Sequence, residues 1–372
     1  MDINTLMQRA DTVSKRCHAL GERSGRIVSE PDRTSPARPK AQWSSLPRLA
    51  GKLALMSALA LSAIGCANRA SSPAVIDDLQ VRGNATIELT PVHYAIRHLG
   101  AARAEAARGG IPSLFDASGA DLAGHAETQA LRSTLDHPDL RIILTITEGR
   151  YRIVAKRSAG IRTLTDLRGK TIATPRESSA AFYLHRALAV AGMAERDVEI
   201  VNIAMPPRDI ASLLLRGKAD AVALWEPEPQ RAIERLGEDA IILEPETGYR
   251  ELYNLNTTAA KLADPATRAK IVRFVATLIQ ASARMKEDRP GAVALAAETT
   301  GYPANTVAPV WRHHAFPATL APGLLDTLVA EERWLAGLAR RPARTRAQLA
   351  TLIDPSIEAE ARALLGRQGR VQ

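Results

Sequence analysis

Along the middle of the chain the apolar positions switch between a short β-like run and helical spacing, and the switch repeats. Lys170–Ala173 is β-leaning and ends at Thr174-Pro175, where proline cannot continue a central ladder. After Arg176-Glu177-Ser178-Ser179 come Leu184, Ala187, Leu188 and Ala191 at helical spacing, stopped by Gly192. Val198–Ile203 reads as the next strand, and the helix beyond Pro206-Pro207 carries Ile210, Leu213 and Leu214 on one face before Gly217. Ala219–Leu224 is a third strand of small and apolar residues, as in a sheet covered on both faces. It delivers Trp225-Glu226-Pro227, with Pro227 suited to the first turn of a helix that Gly237 closes before the strand Ala240–Leu243. Strand and helix in alternation imply a doubly wound α/β arrangement.

The flanks are less regular. Ala85–Leu89 reads as a first strand ending in Thr90-Pro91, followed by an Ala/Arg-rich helix over Val92–Arg108. Ser113–Asp116 is a brief apolar piece and Ala120–Ala123 a strand, after which Glu127 stands in the first turn of a helix, where the macrodipole favours it. Leu140–Thr147 and Tyr151–Ala155 are β-branched strands, and Tyr249–Thr258 is a polar stretch. Asp264-Pro265 opens a long helix with Ile271, Phe274, Val275, Leu278 and Ile279 as its stripe. Further helices are expected at Ala292–Thr299, Ala304–Trp311, Leu320–Leu338 and Ile357–Leu365.

The length of 372 residues suits about two domains. Aromatics make up only 4%, so the core rests on Ala, Leu, Ile and Val, which argues against an aromatic-lined nucleic-acid groove. Net charge is +9, but residues 1–66 hold ten Lys/Arg and five Asp/Glu, leaving about +4 for the remainder. No nucleic-acid partner follows from so small an excess. Residues 1–48 are polar, Arg- and Pro-rich and aperiodic. Leu53–Ile64 is a largely apolar run of twelve residues, two of them serine, behind Arg48 and Lys52, too short to span a bilayer but suited to a signal-peptide core. So long a polar segment ahead of such a core leads us to expect that translation starts nearer the basic residues. Small residues around Gly65-Cys66-Ala67 leave two readings open: ordinary cleavage behind Ala63-x-Gly65, or lipidation of Cys66. The only other cysteine, Cys17, lies in the leader, so the mature protein is expected to hold no disulfide, cysteine metal site or cysteine nucleophile.

No glycine-rich nucleotide loop, HExxH or GxSxG occurs, and no carboxylate pair is forced together by spacing. No cofactor, metal or catalytic activity is expected, and His125 is a lone histidine without a partner at ligand spacing. Ser178 or Ser179 is a natural N-cap at the carboxyl end of a strand. It serves either as a cap alone or as part of an anion site outside an α/β sheet.

The stretch DLRGKTIATPRESSAAFYLHRAL, followed by LLRGKADAVALWEPEP, resembles the solute-binding proteins of the nitrate/sulfonate/taurine class, which serve ATP-driven importers in bacteria. The resemblance runs from about residue 84 to residue 340, strongest in its middle. It implies the type II periplasmic-binding-protein fold: α/β, two lobes, each a mostly parallel sheet flanked by helices, joined by two hinge crossings. The implied division is a leader and signal peptide over 1–66, a linker over 67–79, lobe 1 over 80–156 and 246–345, lobe 2 over 157–245, and a tail over 346–372. The first crossing falls at Arg157–Gly160 and the return near Glu244–Thr247. The resemblance places Thr90, Glu127, Thr128, Ser178, Ser179, Trp225, Glu226, Asn254 and Asn256 at the ligand cleft. Ser178 and Ser179 would hold an anionic group and Trp225 would cover an apolar part, whereas Glu127 and Glu226 favour a zwitterion or a cationic heterocycle. Lobe 1 is short for the family between its first strand and the turn at Gly124-His125-Ala126-Glu127-Thr128. The implied protein is a periplasmic monomer that hands a sulfonate, nitrate or taurine-like zwitterion to an ABC permease in the membrane. A sensory module or an enzyme on the same fold is the alternative. N-terminal analysis of the exported protein is expected to find Cys66 first, unmodified after ordinary cleavage or lipid-bearing. Met1 at the start of the precursor would overturn the later translation start.

Overall fold

The computed structural model describes residues 79–101, 105–204 and 209–368. The leader, the signal-peptide core, Cys17, Cys66 and most of the linker lie outside the described residues. The chain begins with β1 (Gln80–Gly83), α1 (Thr90–His98), β2 (Glu105–Arg108), β3 (Leu122–Ala126), α2 (Glu127–Ser133) and β4 (Leu140–Gly149). It continues through β5 (Tyr151–Lys156), β6 (Thr171–Thr174), α3 (Ser179–Val190), β7 (Glu199–Asn202), α4 (Ile210–Leu215), β8 (Ala221–Trp225), α5 (Glu228–Leu236) and β9 (Ala240–Leu243). Then follow β10 (Glu251–Thr258), α6 (Ala259–Ala263), α7 (Pro265–Glu287), α8 (Arg289–Thr300), α9 (Ala304–Val310), β11 (His314–Ala315), α10 (Leu324–Leu338), α11 (Arg346–Ala350) and α12 (Ser356–Gln368).

Two sheets result. The first has the order β11-β4-β10-β3-β1-β2 and the second β7-β6-β8-β5-β9. The first sheet sits on a core of Leu79, Val81, Leu122, Ile143 and Leu144 against Phe274 and Leu278 of α7. The second packs Ile153, Val154, Ile172 and Val222 against Leu184 and Leu188 of α3. Local signals start the helices as read: Asp264 Oδ2 accepts from the Thr267 N–H at 2.8 Å with Pro265 at the first position, and Ser178 Oγ accepts from the Ala181 N–H at 3.3 Å.

The sheets are mixed, not mostly parallel. β1 runs parallel to β2 and β3, and β6 to β7 and β8. β10 is antiparallel to both β3 and β4, and β5 to both β8 and β9. Apart from the two-residue β11, antiparallel to β4, the strands running against their neighbours are β5 and β10, each the first strand after a crossing, where chain entering from the other sheet runs against the βα units. The first crossing is correspondingly earlier than Arg157–Gly160. β4 belongs to the first sheet and β5 to the second, so the chain changes sheet at Arg150, and Tyr151–Lys156 belongs with lobe 2. The return spans Glu244–Arg250, between β9 and β10.

Three further expectations change. Ala85–Leu89 is not a strand: the strand is Gln80–Gly83, and Ile87–Leu89 forms a 3-10 turn leading directly into α1. The helix expected over Val92–Arg108 ends at His98, and Glu105–Arg108 is an edge strand. Of the tail expected over 346–372, the described residues to 368 are no appendage, since Ile142 bridges Ile353 and α12 buries Ile357 and Ala361 fully in the core of the first sheet. Among the described residues no helix is long and apolar enough to cross a membrane. Ile357→Ala is expected to lower stability by about 2–5 kcal/mol in a urea titration, as a buried aliphatic truncation does. A loss below that range would return α12 to the status of a tail.

Candidate functional site

A cavity of about 590 Å³ lies between the two sheets. Its first wall is made by Asn84, Thr86 and Glu88 before α1, by His125, Gln129 and Arg132 at the β3–α2 junction, and by Glu251 and Tyr253 of β10. The second wall is made by Pro175, Arg176, Ser178 and Ser179 after β6 and by Trp225 and Glu226 after β8. β3, β6 and β8 all meet the cavity at their carboxyl ends, where open α/β sheets place ligands. Arg108, at the end of β2, and Tyr302, after α8, complete the lining.

Four of the nine residues read from the sequence line this cavity: Ser178, Ser179, Trp225 and Glu226. Ser178 caps α3 and donates its hydroxyl proton to the Pro175 carbonyl at 2.6 Å. Ser179 accepts from the Tyr151 hydroxyl at 2.7 Å, which leaves its own proton for another acceptor. Trp225 is half-buried and meets Tyr151 edge-on. Glu226 is buried and takes the Arg152 Nε–H at 2.5 Å; burial pushes its carboxyl above the usual value, with the guanidinium only partly offsetting that.

The other five sit behind the wall. Thr90 spends its hydroxyl on the Ile87 carbonyl at 2.6 Å, because Pro91 lies in the first turn of a helix and Thr90 does not end a strand. Asn254 and Asn256 face the interior of a strand covered on both sides, where Asn254 accepts from the Thr145 hydroxyl at 2.8 Å and Asn256 donates to the Ala123 carbonyl at 3.0 Å. Thr128 donates to Glu331 at 2.8 Å. Glu127 accepts the Leu252 N–H at 2.9 Å and the Tyr249 hydroxyl. Burial drives its carboxyl up to about 7, and Glu331 beside it is raised well above the ordinary value by burial and by the Glu127 charge.

Sequence reasoning missed Glu88, Glu251, His125, Tyr253 and the three exposed arginines, Arg108, Arg132 and Arg176. His125 Nδ1 lies 2.9 Å from the Ala126 backbone nitrogen, and its Nε2 lies 3.3 Å from the Asn84 amide nitrogen. Burial takes its pKa down to about 4, so the ring is neutral. Glu88 is buried with His314 Nε2 at 3.4 Å. Burial alone would raise its carboxyl, but the His314 hydrogen bond and charge bring it below the usual value. Glu251 is raised well above by burial and then by the charge on Glu88. Among the described residues no group of three His, Cys, Asp or Glu is placed to hold a metal.

Away from the cavity the walls are joined. Tyr249, in the return crossing, stacks on Tyr151 with ring centroids 6.1 Å apart and meets Phe182 edge-on at 5.0 Å. Phe182 contacts Trp334 of α10, whose indole N–H donates to Glu195 at 2.7 Å. At the cavity mouth Arg132 pairs with Glu177 at 2.9 Å, first sheet to second.

Two mixed α/β sheets joined by two crossings, with a cavity between them, define the periplasmic-binding-protein fold. The chain belongs to the family described as NMT1/THI5 like, whose profile matches residues 103–290, just over half of it. It is 29% identical over 170 residues to a putative aliphatic sulfonates-binding protein of Escherichia coli (strain K12), a match covering 46% of this chain and only about half, 51%, of that relative. The alkanesulfonate-binding protein SsuA from Xanthomonas axonopodis pv. citri, solved bound to MOPS, superposes with a TM-score of 0.58 at 20% identity over 74% of this chain and 98% of that one. A cysteine-to-serine mutant of the desulfurization enzyme DszB, in complex with biphenyl-2-sulfinic acid, superposes with a TM-score of 0.56 at 16% identity over 78% and 99%.

A carboxyl raised in the folded state stabilises the fold fully below its unfolded value and loses that contribution as pH climbs through the folded value. For Glu127 the window runs from 4.5 to about 7. Glu251 and Glu331 act in the same direction. The melting temperature of Glu127→Gln is therefore expected to fall less steeply than that of the parent across this window. Parallel melting curves would show that Glu127 is not the group titrating there.

Proposed function

We propose that the protein is an extracytoplasmic solute-binding protein that captures a small polar ligand between its lobes and delivers it to an ABC importer. The observation carrying this reading is the cavity shared by both sheets, with the capped start of α3 on one wall and two chain crossings linking the sheets. Ligand seated against both walls favours the closed arrangement by its contacts with each, and hinge motion at Arg150 and Glu244–Arg250 supplies access. Sulfonates, nitrate and taurine-like zwitterions are the classes to which this reading points, supported by the sulfonate-binding relatives. Their kind also supports export, with Cys66 as the anchor if lipidated, and a monomer docking on a permease. Lobe 1 comprises the first sheet with α7 to α12, and lobe 2 runs from Tyr151 to about Pro245.

One observation favours a second reading, an enzyme on this fold: Glu88 and His314 form a buried acid–base pair beside the cavity. The two readings part in a single assay. The protein is screened by thermal shift against alkanesulfonates, nitrate, taurine-like zwitterions and pyrimidines, and any binder is then incubated with it and analysed by mass spectrometry. A saturable rise in melting temperature with the compound recovered intact is the expected result. Conversion of the compound would favour the enzyme. Ser178→Ala combined with Ser179→Ala should weaken binding while costing stability only about 1 kcal/mol for the lost cap. Unchanged affinity in the folded double variant would leave the serines as caps alone.

A further inference from the structure

Glu88 and Glu251 present an unsolved problem to the fold. They are 2% and 5% exposed, both line the cavity, and Oε2 of each is buried without a hydrogen-bond partner among the described residues. Most of the donors around them are committed elsewhere, the Thr86 hydroxyl beside Glu88 excepted. The Tyr151 hydroxyl is given to Ser179, the Tyr253 hydroxyl to the Gly124 carbonyl at 3.0 Å, and the Arg152 guanidinium to Glu226. His314 reaches Glu88 only through Oε1, at 3.4 Å. Two buried carboxyls that repel each other, each with one oxygen unpartnered, are costly to keep. A donor arriving from outside the chain removes both costs at once, and a positively charged donor removes them best.

We propose that Glu88 and Glu251 form a cation subsite on the first wall of the cleft, and that the ligand carries a protonated amine or amidine that seats there. This rests on the solute-binding reading and narrows it. The second wall offers the opposite character, with the Ser179 hydroxyl, the start of α3 and the exposed Arg176. A molecule with a cationic end and an anionic end satisfies one wall with each, so it gains from closure what a plain anion cannot. Burial and the Glu88 charge raise the Glu251 carboxyl, and an arriving cation lowers it again, so binding favours release of a proton to the buffer. The groups facing this exchange are Glu88, His314, Tyr151, Tyr253, Glu127 and the Glu226–Arg152 pair.

The test uses matched compounds differing only in the amine: 2-aminoethanesulfonate with ethanesulfonate, 3-aminopropanesulfonate with propanesulfonate, and an aminomethylpyrimidine with its methyl counterpart. Titration calorimetry in buffers of different ionisation heat reads affinity and proton release together. The amine-bearing member of at least one pair is expected to bind about tenfold or more tightly than its partner, with release of a proton. Glu251→Gln should abolish that preference and the proton release, so that the amine-bearing member binds no more tightly than its partner. Glu88→Gln should reduce the preference; if it fails to fold for want of the His314 contact, Glu251→Gln carries the test alone. Amine-free compounds binding as well as their partners, with Glu251→Gln without effect, would overturn the cation subsite and leave the solute-binding reading standing. Failure of every compound to bind would overturn both.

Discussion

The buried carboxyl of Glu127 is the point through which the two halves of the first sheet and the return crossing are tied. It sits at the first position of α2, takes the backbone N–H of Leu252 at the start of β10, and takes the hydroxyl of Tyr249 from the crossing itself. Glu331 of α10 stands beside it, 3.3 Å from the same hydroxyl and holding Thr128. A lone carboxylate in that position would be expensive to bury, and its raised pKa is the form the compensation takes. Because Tyr249 is held there, its ring lies flat against Tyr151 and against the edge of Phe182, so the direction of the crossing and the seating of α3 follow from one set of hydrogen bonds.

The chain is poor in aromatic residues, and many of those it has are spent at the seam and cleft. Tyr151, Phe182, Tyr249 and Trp334 join the lobes on one side, while Trp225, Tyr253 and Tyr302 line the cavity. The cores of the two sheets are mostly Ile, Val, Leu and Ala, with Tyr94, Phe274, Trp311 and Phe316 added in the first and Tyr183 in the second.

Local chemistry was legible in the sequence wherever a single residue decides the outcome. Ser178 and Asp264 are caps because their side chains reach backbone N–H groups a few residues on, and the stripe on α7 follows from a period of 3.6. Long-range pairing was not legible. Tyr151–Lys156 is β-branched enough to be a strand in either sheet, and only its partners β8 and β9 decide which. Asn254 and Asn256 share a face by alternation, but alternation does not say whether that face meets a cavity or the body of the lobe. Thr90-Pro91 carried a usable signal, since proline suits the first turn of a helix as well as the end of a strand. Glu88 was masked by its neighbours Ile87 and Leu89, which made a strand of a 3-10 turn; a charged residue between two apolar ones in so short a run was the one clue to a carboxylate at the wall.

The second sheet is a single uninterrupted stretch of chain, from Tyr151 to Leu243, whereas the first is assembled from both sides of it. β1, β3 and β4 are synthesised early but gain β10, the α7 layer and finally Ile357 and Ala361 only at the end. Pairings across such sequence distances form slowly, and unpaired strands with bare apolar faces are prone to aggregate while they wait. The order of folding is thereby written into the connectivity: the lobe begun second can finish first, and the lobe begun first stays open until the last helix is made.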